Sequence, residues 1–413
     1  MKWYPCFIFI YFISIMGCGQ QTTQKKQAAT SNKKQPFPNN PVETKPHNTT
    51  YSPAFEGQTR VSSIKTHTAY TSKILAKDLG RPWGMAQLPD GRFLITEKSG
   101  FIYLLAENGM QLQKINGIPP VDDKGQGGLL GIAIDLQFEK NRMIYWSFSE
   151  ADEKGNHTAV AKGKLSSDEK KMEDVTVIFR VYPSLKSNLH FGSRLVFDST
   201  GNLFVSTGER SILEGRKQAQ WLTSGLGKIF KITKDGNPAP GNPFINDTKA
   251  LPEIYAYGIR NAQGLAIHPQ TGELWETEFG PYGGDELNII KAGNNYGWPT
   301  ITYGLEYNGN KIGEAITQKQ GMEQPVYYWD PSISPSGCSF YSSNQIPEWK
   351  NNLFIGCLSG QHIIRLQIQN NKVIGEERLL ADKNERFRDV LASSNGAVYT
   401  ITDSGLFIKI SRQ

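Results

Sequence analysis

Apolar and polar residues alternate along most of this chain with a period of two, the mark of half-buried strands. One unit recurs: a short apolar run, a turn rich in Asp, Asn or Gly, then a second apolar run. It occupies 85–97, 132–149, 195–208, 265–278, 338–357 and 390–402. Asp90-Gly91, Thr200-Gly201, Thr271-Gly272 and Asn395-Gly396 sit at the turns of four of them. Such runs read as β-hairpins. Further strand-like runs follow at 101–105, 228–232, 363–368 and 406–410, so each hairpin belongs to a larger sheet. The pattern predicts an all-β chain, a six-bladed β-propeller with four-stranded antiparallel blades. The spacing is uneven, 47 residues between the first two starts and 73 between the fourth and fifth, which calls for long inserted loops. A β-sandwich is the structural alternative, although six similar hairpins exceed one sandwich. Ligands of propellers bind where loops converge at one mouth of the central channel.

The first 60 residues break the pattern. Lys2 precedes a short apolar run from Phe7 to Met16, which ends at Gly17-Cys18. The run is shorter than the roughly 20 residues a spanning helix needs. It is similar to a bacterial lipoprotein signal over 1–18, with Cys18 lipidated as the mature N-terminus; an ordinary cleaved signal peptide is the other reading. Either one exports the protein to the periplasm or cell surface, and the first anchors it to a membrane. Residues 19–60 are dominated by Gln, Thr, Asn, Lys and Pro and read as a flexible linker. The propeller is assigned to 61–413.

Composition agrees with many turns: 41 glycines and 22 prolines in 413 residues, with 38% hydrophobic. The net charge of +6 is mild, and no Lys/Arg block is interleaved with aromatics, which argues against a nucleic-acid partner. Cys338 and Cys357 are the two cysteines of the globular part, and sequence leaves their pairing open. The six histidines show no zinc-ligand spacing. His190 stands immediately before an inner strand, suited either to general-base chemistry at the channel mouth or to a structural role. The stretch 257–299 combines Arg260-Asn261, a Gly280-Pro281 turn, Gly283-Gly284 and Asp285-Glu286. Such a loop suits a hard cation and a carboxylated ligand, or is a solvated surface turn.

The motifs GQGGLLGIAID (125–135), HFGSRLVFD (190–198), YGIRNAQGLA (257–266), EFGPYGGDELN (278–288), NNYGWP (294–299), YYWDPSISPSG (327–337) and RFRDV (386–390) occur in this order. Together they resemble the glucose/sorbosone dehydrogenase family of quinoproteins, over about 79–410. The resemblance implies pyrroloquinoline quinone (PQQ) and Ca²⁺ as cofactors. The substrate it implies is a small sugar, an aldose oxidised at C1 to a lactone, with an external cytochrome or quinone as electron acceptor. It assigns His190 as the base, and Gln126, Arg260, Asn261, Arg386 and Arg388 as cofactor contacts. It also assigns the carbonyls of Gly280 and Pro281 to the Ca²⁺ that polarises the quinone, and Glu286 and Tyr296 to a further structural Ca²⁺. Arg386 and Arg388, at i and i+2 of a strand, would share one face. Gln126 also reads as a plain turn residue.

Three positions depart from the family pattern. Ser359 stands where a cofactor-binding lysine is expected, with His362 and Arg365 as possible substitutes. Phe279 replaces a polar residue before the Gly-Pro turn, and Leu189 replaces a carboxylate beside the sugar. Two other functions are compatible with the pattern: a calcium-dependent lactonase-type hydrolase, and a non-catalytic carbohydrate-binding or scaffold propeller.

Overall fold

The computed structural model describes residues 40–413. The apolar N-terminal run and Cys18 lie outside the described residues. Six four-stranded antiparallel sheets follow one another around a central channel. Blade 1 spans 82–115, blade 2 129–180, blade 3 195–257, blade 4 262–329 and blade 5 335–379. Blade 6 takes three strands from 387–412 and its outermost strand from Tyr70–Ala76, which pairs with Phe407–Arg412. The N-terminal strand thus closes the ring. Each predicted hairpin forms the two inner strands of a blade, because alternation buries one residue in two against each neighbouring blade. Among the described residues no helix is long and apolar enough to cross a membrane. Cys338 and Cys357 are free, buried thiols.

The innermost strand of five blades is irregular near its start. Register shifts fall between Pro82 and Met85, Leu129 and Ile132, Ala262 and Gly264, Pro335 and Cys338, and Phe387 and Asp389. A bulge leaves an extra residue unpaired and re-aims its side chain. Trp83, Gln263 and Arg388 are such residues, and all three turn into one cavity at that end of the channel.

A buried ion pair ties the inner strands together. The Arg194 guanidinium donates from Nη1 to Asp389 Oδ2 at 2.8 Å and from Nε to the Gln263 carbonyl at 2.8 Å. Asp389 Oδ2 also accepts the Met85 N–H at 2.9 Å, and the guanidinium lies 4.6 Å from the centre of the Trp83 ring. Residues of blades 1, 4 and 6 therefore meet the segment leading into blade 3 at one point. Gly337 of blade 5 packs so closely there that a Cβ would lie 1.8 Å from Asp389 Oδ1.

Residues 40–60, read from composition as part of a flexible linker, instead lie against blades 4 and 5. Buried Asp330 accepts the N–H groups of Asn48 and Thr49 at 2.8 and 3.0 Å and the Thr49 hydroxyl at 2.8 Å. Arg60 donates to the Asp330 and Glu43 carbonyls. Gln58 bonds to the Pro325 carbonyl, and its own carbonyl accepts the Tyr328 N–H. These are polar contacts, so a reading based on apolar content passes over them.

Asp389→Ala leaves the Arg194 charge buried without its partner, and a loss of about 3–5 kcal/mol is expected. Urea denaturation followed by tryptophan fluorescence measures it. A change within 0.5 kcal/mol would show that the pair does not hold the ring.

Candidate active site

A cavity of about 460 Å³ opens at the channel end where the bulges lie. His190, Gln126, Arg386 and Arg388 line it, as does Phe279. His190 sits in a turn with φ of 50°, in the left-handed region that non-glycine residues seldom occupy. Three contacts fix it there. Its Nδ1 lies 2.6 Å from Glu209 Oε1, its N–H donates to Gln126 Oε1 at 2.8 Å, and the Asn261 side chain holds Gly192 two residues on. Arg210 clamps the preceding loop, donating to the Leu189 carbonyl at 3.0 Å and to the Ser187 carbonyl. Nε2 has no hydrogen-bond partner among the described residues. Burial and the nearby Arg260 charge bring the imidazole down to about 4, against the pull of Glu209. The ring is thus neutral above that pH. With Nδ1–H donated to Glu209, Nε2 carries the lone pair a base needs.

Arg386 and Arg388 both reach Asp403: Nε to Oδ2 at 2.9 Å from the first, Nε to Oδ1 at 2.8 Å from the second. Arg388 also donates to Gln263 Oε1 at 2.9 Å. One carboxylate, held below its usual range by these arginines, orients two guanidinium groups along the wall. Arg81 and Lys98 of blade 1 add two more cations. Sequence reasoning passed over Trp83, Gln263, Arg81, Lys98, Tyr307 and Glu209. The available signal was position: RPWGM and NAQGLA open inner strands just as GSRLVF does.

Arg260 and Asn261 do not line this cavity; they sit one layer behind its wall. Arg260 donates from Nη1 to the carbonyls of Phe279 at 2.9 Å and Gly280 at 2.7 Å, and Nη2 lies 3.5 Å from the Tyr307 hydroxyl. Its Nε is buried without a partner, and so is Asn261 Nδ2. The Gly280 carbonyl, expected to face a metal, thus accepts from Arg260, and that of Pro281 accepts from the Ser332 hydroxyl at 3.1 Å. The turn itself needs glycine: Gly283 and Gly284 have φ of 87° and 72°. Asp285 braces it, accepting Gly280 N–H at 2.7 Å and the N–H groups of Ile333 and Ser334 at 2.6 and 2.7 Å.

Behind Arg260 lies a void of about 10 Å³ bordered by Gly280, Glu278, Glu286 and Tyr296. Glu278 and Glu286 face each other across paired strands, and Glu276 stands opposite Asn288 one step along the same face. Burial pushes all three carboxyls upward, and the Glu278 charge adds to the rise at Glu276 and Glu286. Glu276 Oε1 and Asn288 Oδ1 are buried without partners. These two residues stand next to the void's Glu278 and Glu286 rather than in its lining, and buried carboxylates beside unpaired acceptors fit a cation. Among the described residues, no three His, Cys, Asp or Glu side chains form a metal-binding group. A cation there would need carbonyls as well, and Tyr296 would contribute its carbonyl, since its hydroxyl already bonds to the Ile289 carbonyl and the Lys291 N–H.

The departures from the family pattern are also placed. Ser359 bonds to the Ser334 hydroxyl at 2.8 Å, beside the cavity. His362 bonds to the Gly360 carbonyl and Arg365 to Glu377, and neither lines the cavity. Phe279 keeps its carbonyl on Arg260, and Leu189 is exposed.

Residues 79–409 match the family model described as glucose/sorbosone dehydrogenase. The chain is 41% identical over 345 residues to the aldose sugar dehydrogenase YliI of Escherichia coli, covering 82% of this chain and 92% of that one. The crystal structure of the soluble aldose sugar dehydrogenase from E. coli in the apo-form superposes with a TM-score of 0.80 at 40% identity, over 84% of this chain and all of that one. The PQQ-bound aldose sugar dehydrogenase of Streptomyces coelicolor superposes with a TM-score of 0.67 at 27% identity, over 84% of this chain and 99% of that one.

An NMR titration of the His190 imidazole is expected to give a midpoint near 4, moving lower in Glu209→Gln because a stabilising carboxylate is lost. A midpoint near 6.5 would contradict the desolvated geometry.

Proposed function

Because the chain belongs to the glucose/sorbosone dehydrogenase family, we propose that it oxidises the C1 hydroxyl of aldoses to lactones, using PQQ and Ca²⁺. The observation that carries this reading is one cavity holding a neutral, oriented imidazole and four cationic side chains against a single lining carboxylate. A planar tricarboxylate fits that charge pattern. Arg386 and Arg388 would hold its carboxylates, and their planar forks suit both bidentate bonding and stacking. Trp83 and Phe279 supply flat apolar walls.

Forming a lactone from an aldose removes one proton and one hydride. His190 Nε2 takes the proton of the anomeric hydroxyl, while Glu209 steadies the imidazolium that forms. Gln126 keeps the His190 backbone in place, with its own amide nitrogen left for ligand. When bound, the quinone supplies the hydride acceptor, and an external cytochrome or quinone then removes the electrons. Calcium would lie among Glu286, Glu278 and the Tyr296 carbonyl, and a second ion at the Gly280-Pro281 carbonyls would have to displace Arg260 and Ser332. The reading includes export, with a lipid anchor at Cys18. A lactonase-type hydrolase is less well supported, since it needs carboxylates on a channel metal and the cavity's Asp403 is already bonded to two arginines.

Protein reconstituted with PQQ and Ca²⁺ is expected to reduce an artificial dye with aldoses, and His190→Ala to lower kcat at least about 100-fold while still folding. Full turnover in that variant, or no turnover with a broad sugar panel, would overturn the reading. Calcium is checked separately: it should raise the melting temperature of the wild type, and Glu286→Gln should remove that rise.

A further inference from the structure

Four cations line the cavity, and three of them are neutralised within the protein. Arg386 and Arg388 share Asp403, and Arg81 pairs with Asp123 and lies 3.8 Å from Glu97. Lys98 is the exception among the lining residues. Its Nζ donates to the Gly125 carbonyl at 2.6 Å and makes no ion pair with any described carboxylate. The backbone around it is fixed: Lys98 N–H donates to the Arg81 carbonyl, and its own carbonyl accepts the Leu129 N–H. The ammonium therefore stands at the junction of blades 1 and 2, against the residue that precedes Gln126.

The charged groups that act on Lys98 are Arg388 and Arg81, which oppose its charge, and Asp403 and Asp123, which favour it more weakly. With burial as the largest cause, the ammonium comes down to about 8. A half-buried ammonium with no counter-ion, facing a cavity, is a site for an anion. Where blade 5 borders the cavity, Ser334 carries a hydroxyl bonded to that of Ser359 rather than a cation.

We propose that Lys98 is an anion anchor of this cavity, its ammonium binding a carboxylate of the quinone cofactor that Arg386 and Arg388 hold elsewhere. The inference rests on the quinoprotein reading above. It makes the blade 1 wall, rather than blade 5, the source of the remaining cationic contact.

The test is titration of the full chain with PQQ in Ca²⁺ buffer, read by tryptophan quenching. The variants Lys98→Gln, Lys98→Arg and Arg388→Gln are compared with wild type, and ligand-free melting checks the fold. Lys98→Gln should weaken binding roughly tenfold to a hundredfold, the worth of one charge-assisted hydrogen bond, and Lys98→Arg should restore most of it. Affinity of the wild type should fall as pH rises above about 8, where the free ammonium loses its proton. In Lys98→Arg that fall should vanish, because a guanidinium stays charged. An unchanged Kd in Lys98→Gln alongside a weakened Arg388→Gln overturns this proposal and leaves the quinoprotein reading standing. A defect in Lys98→Gln seen only as a raised KM for acidic sugars also overturns it, by giving the ammonium to the substrate. If the wild type itself does not bind PQQ, both fall.

Discussion

A guanidinium-carboxylate pair, Arg194 with Asp389, joins the inner strands of several blades at one point. Hydroxyl-to-carbonyl bonds such as Thr96 to Leu130 and Thr277 to Ser336 tie neighbouring blades beside it. A propeller has no continuous core; neighbouring sheets pack face to face in separate apolar clusters, and nothing in that packing alone fixes the channel end. The pair supplies a point shared by several blades, and its desolvation is offset by bonds to backbone as well as by charge. Trp83, Gln263 and Arg388 all touch this cluster or its immediate bonds and all face the cavity. The wall of the site is therefore built on the same contact that aligns the blades.

Charge is sorted by depth. Cations face the cavity, while Glu276, Glu278 and Glu286 are buried behind it. Arg260 stands between, its side chain bonding to the carbonyls of Phe279 and Gly280 and its backbone N–H to Glu278. In a medium of low permittivity these groups act on one another strongly. The depressed imidazole of His190 owes most to burial, and the Arg260 charge adds to it.

Much of this was legible in the sequence, and the rest was not for identifiable reasons. Period-two alternation around Asp90-Gly91 or Asn395-Gly396 gives hairpins directly, and six of them give the ring. His190, Gln126, Arg386 and Arg388 come together because each stands at the start of an inner strand or in the loop before one. Trp83 and Gln263 escape the alternation because a bulge turns them inward, and only their place at the opening of an inner strand marks them. The family resemblance assigned Arg260 and Asn261 as cofactor contacts, and their described side-chain bonds run to the turn and loop that carry the site. Residues 40–60 looked featureless because their attachments are polar, made by backbone N–H groups and by the side chains of Thr49, Gln58 and Arg60 rather than by apolar burial.

The attachment of residues 40–60 also bears on where this chain can be shortened. A recombinant boundary at Tyr70, where the first strand begins, preserves every blade on paper. It would nevertheless remove the three donors that Asn48 and Thr49 give to Asp330 and strip the Arg60 bond from that residue's carbonyl. Asp330 begins the loop whose Ile333 and Ser334 N–H groups hold Asp285, and Asp285 in turn holds the Gly280 amide. The leader that looks dispensable is thus the far end of a brace that reaches the wall of the pocket.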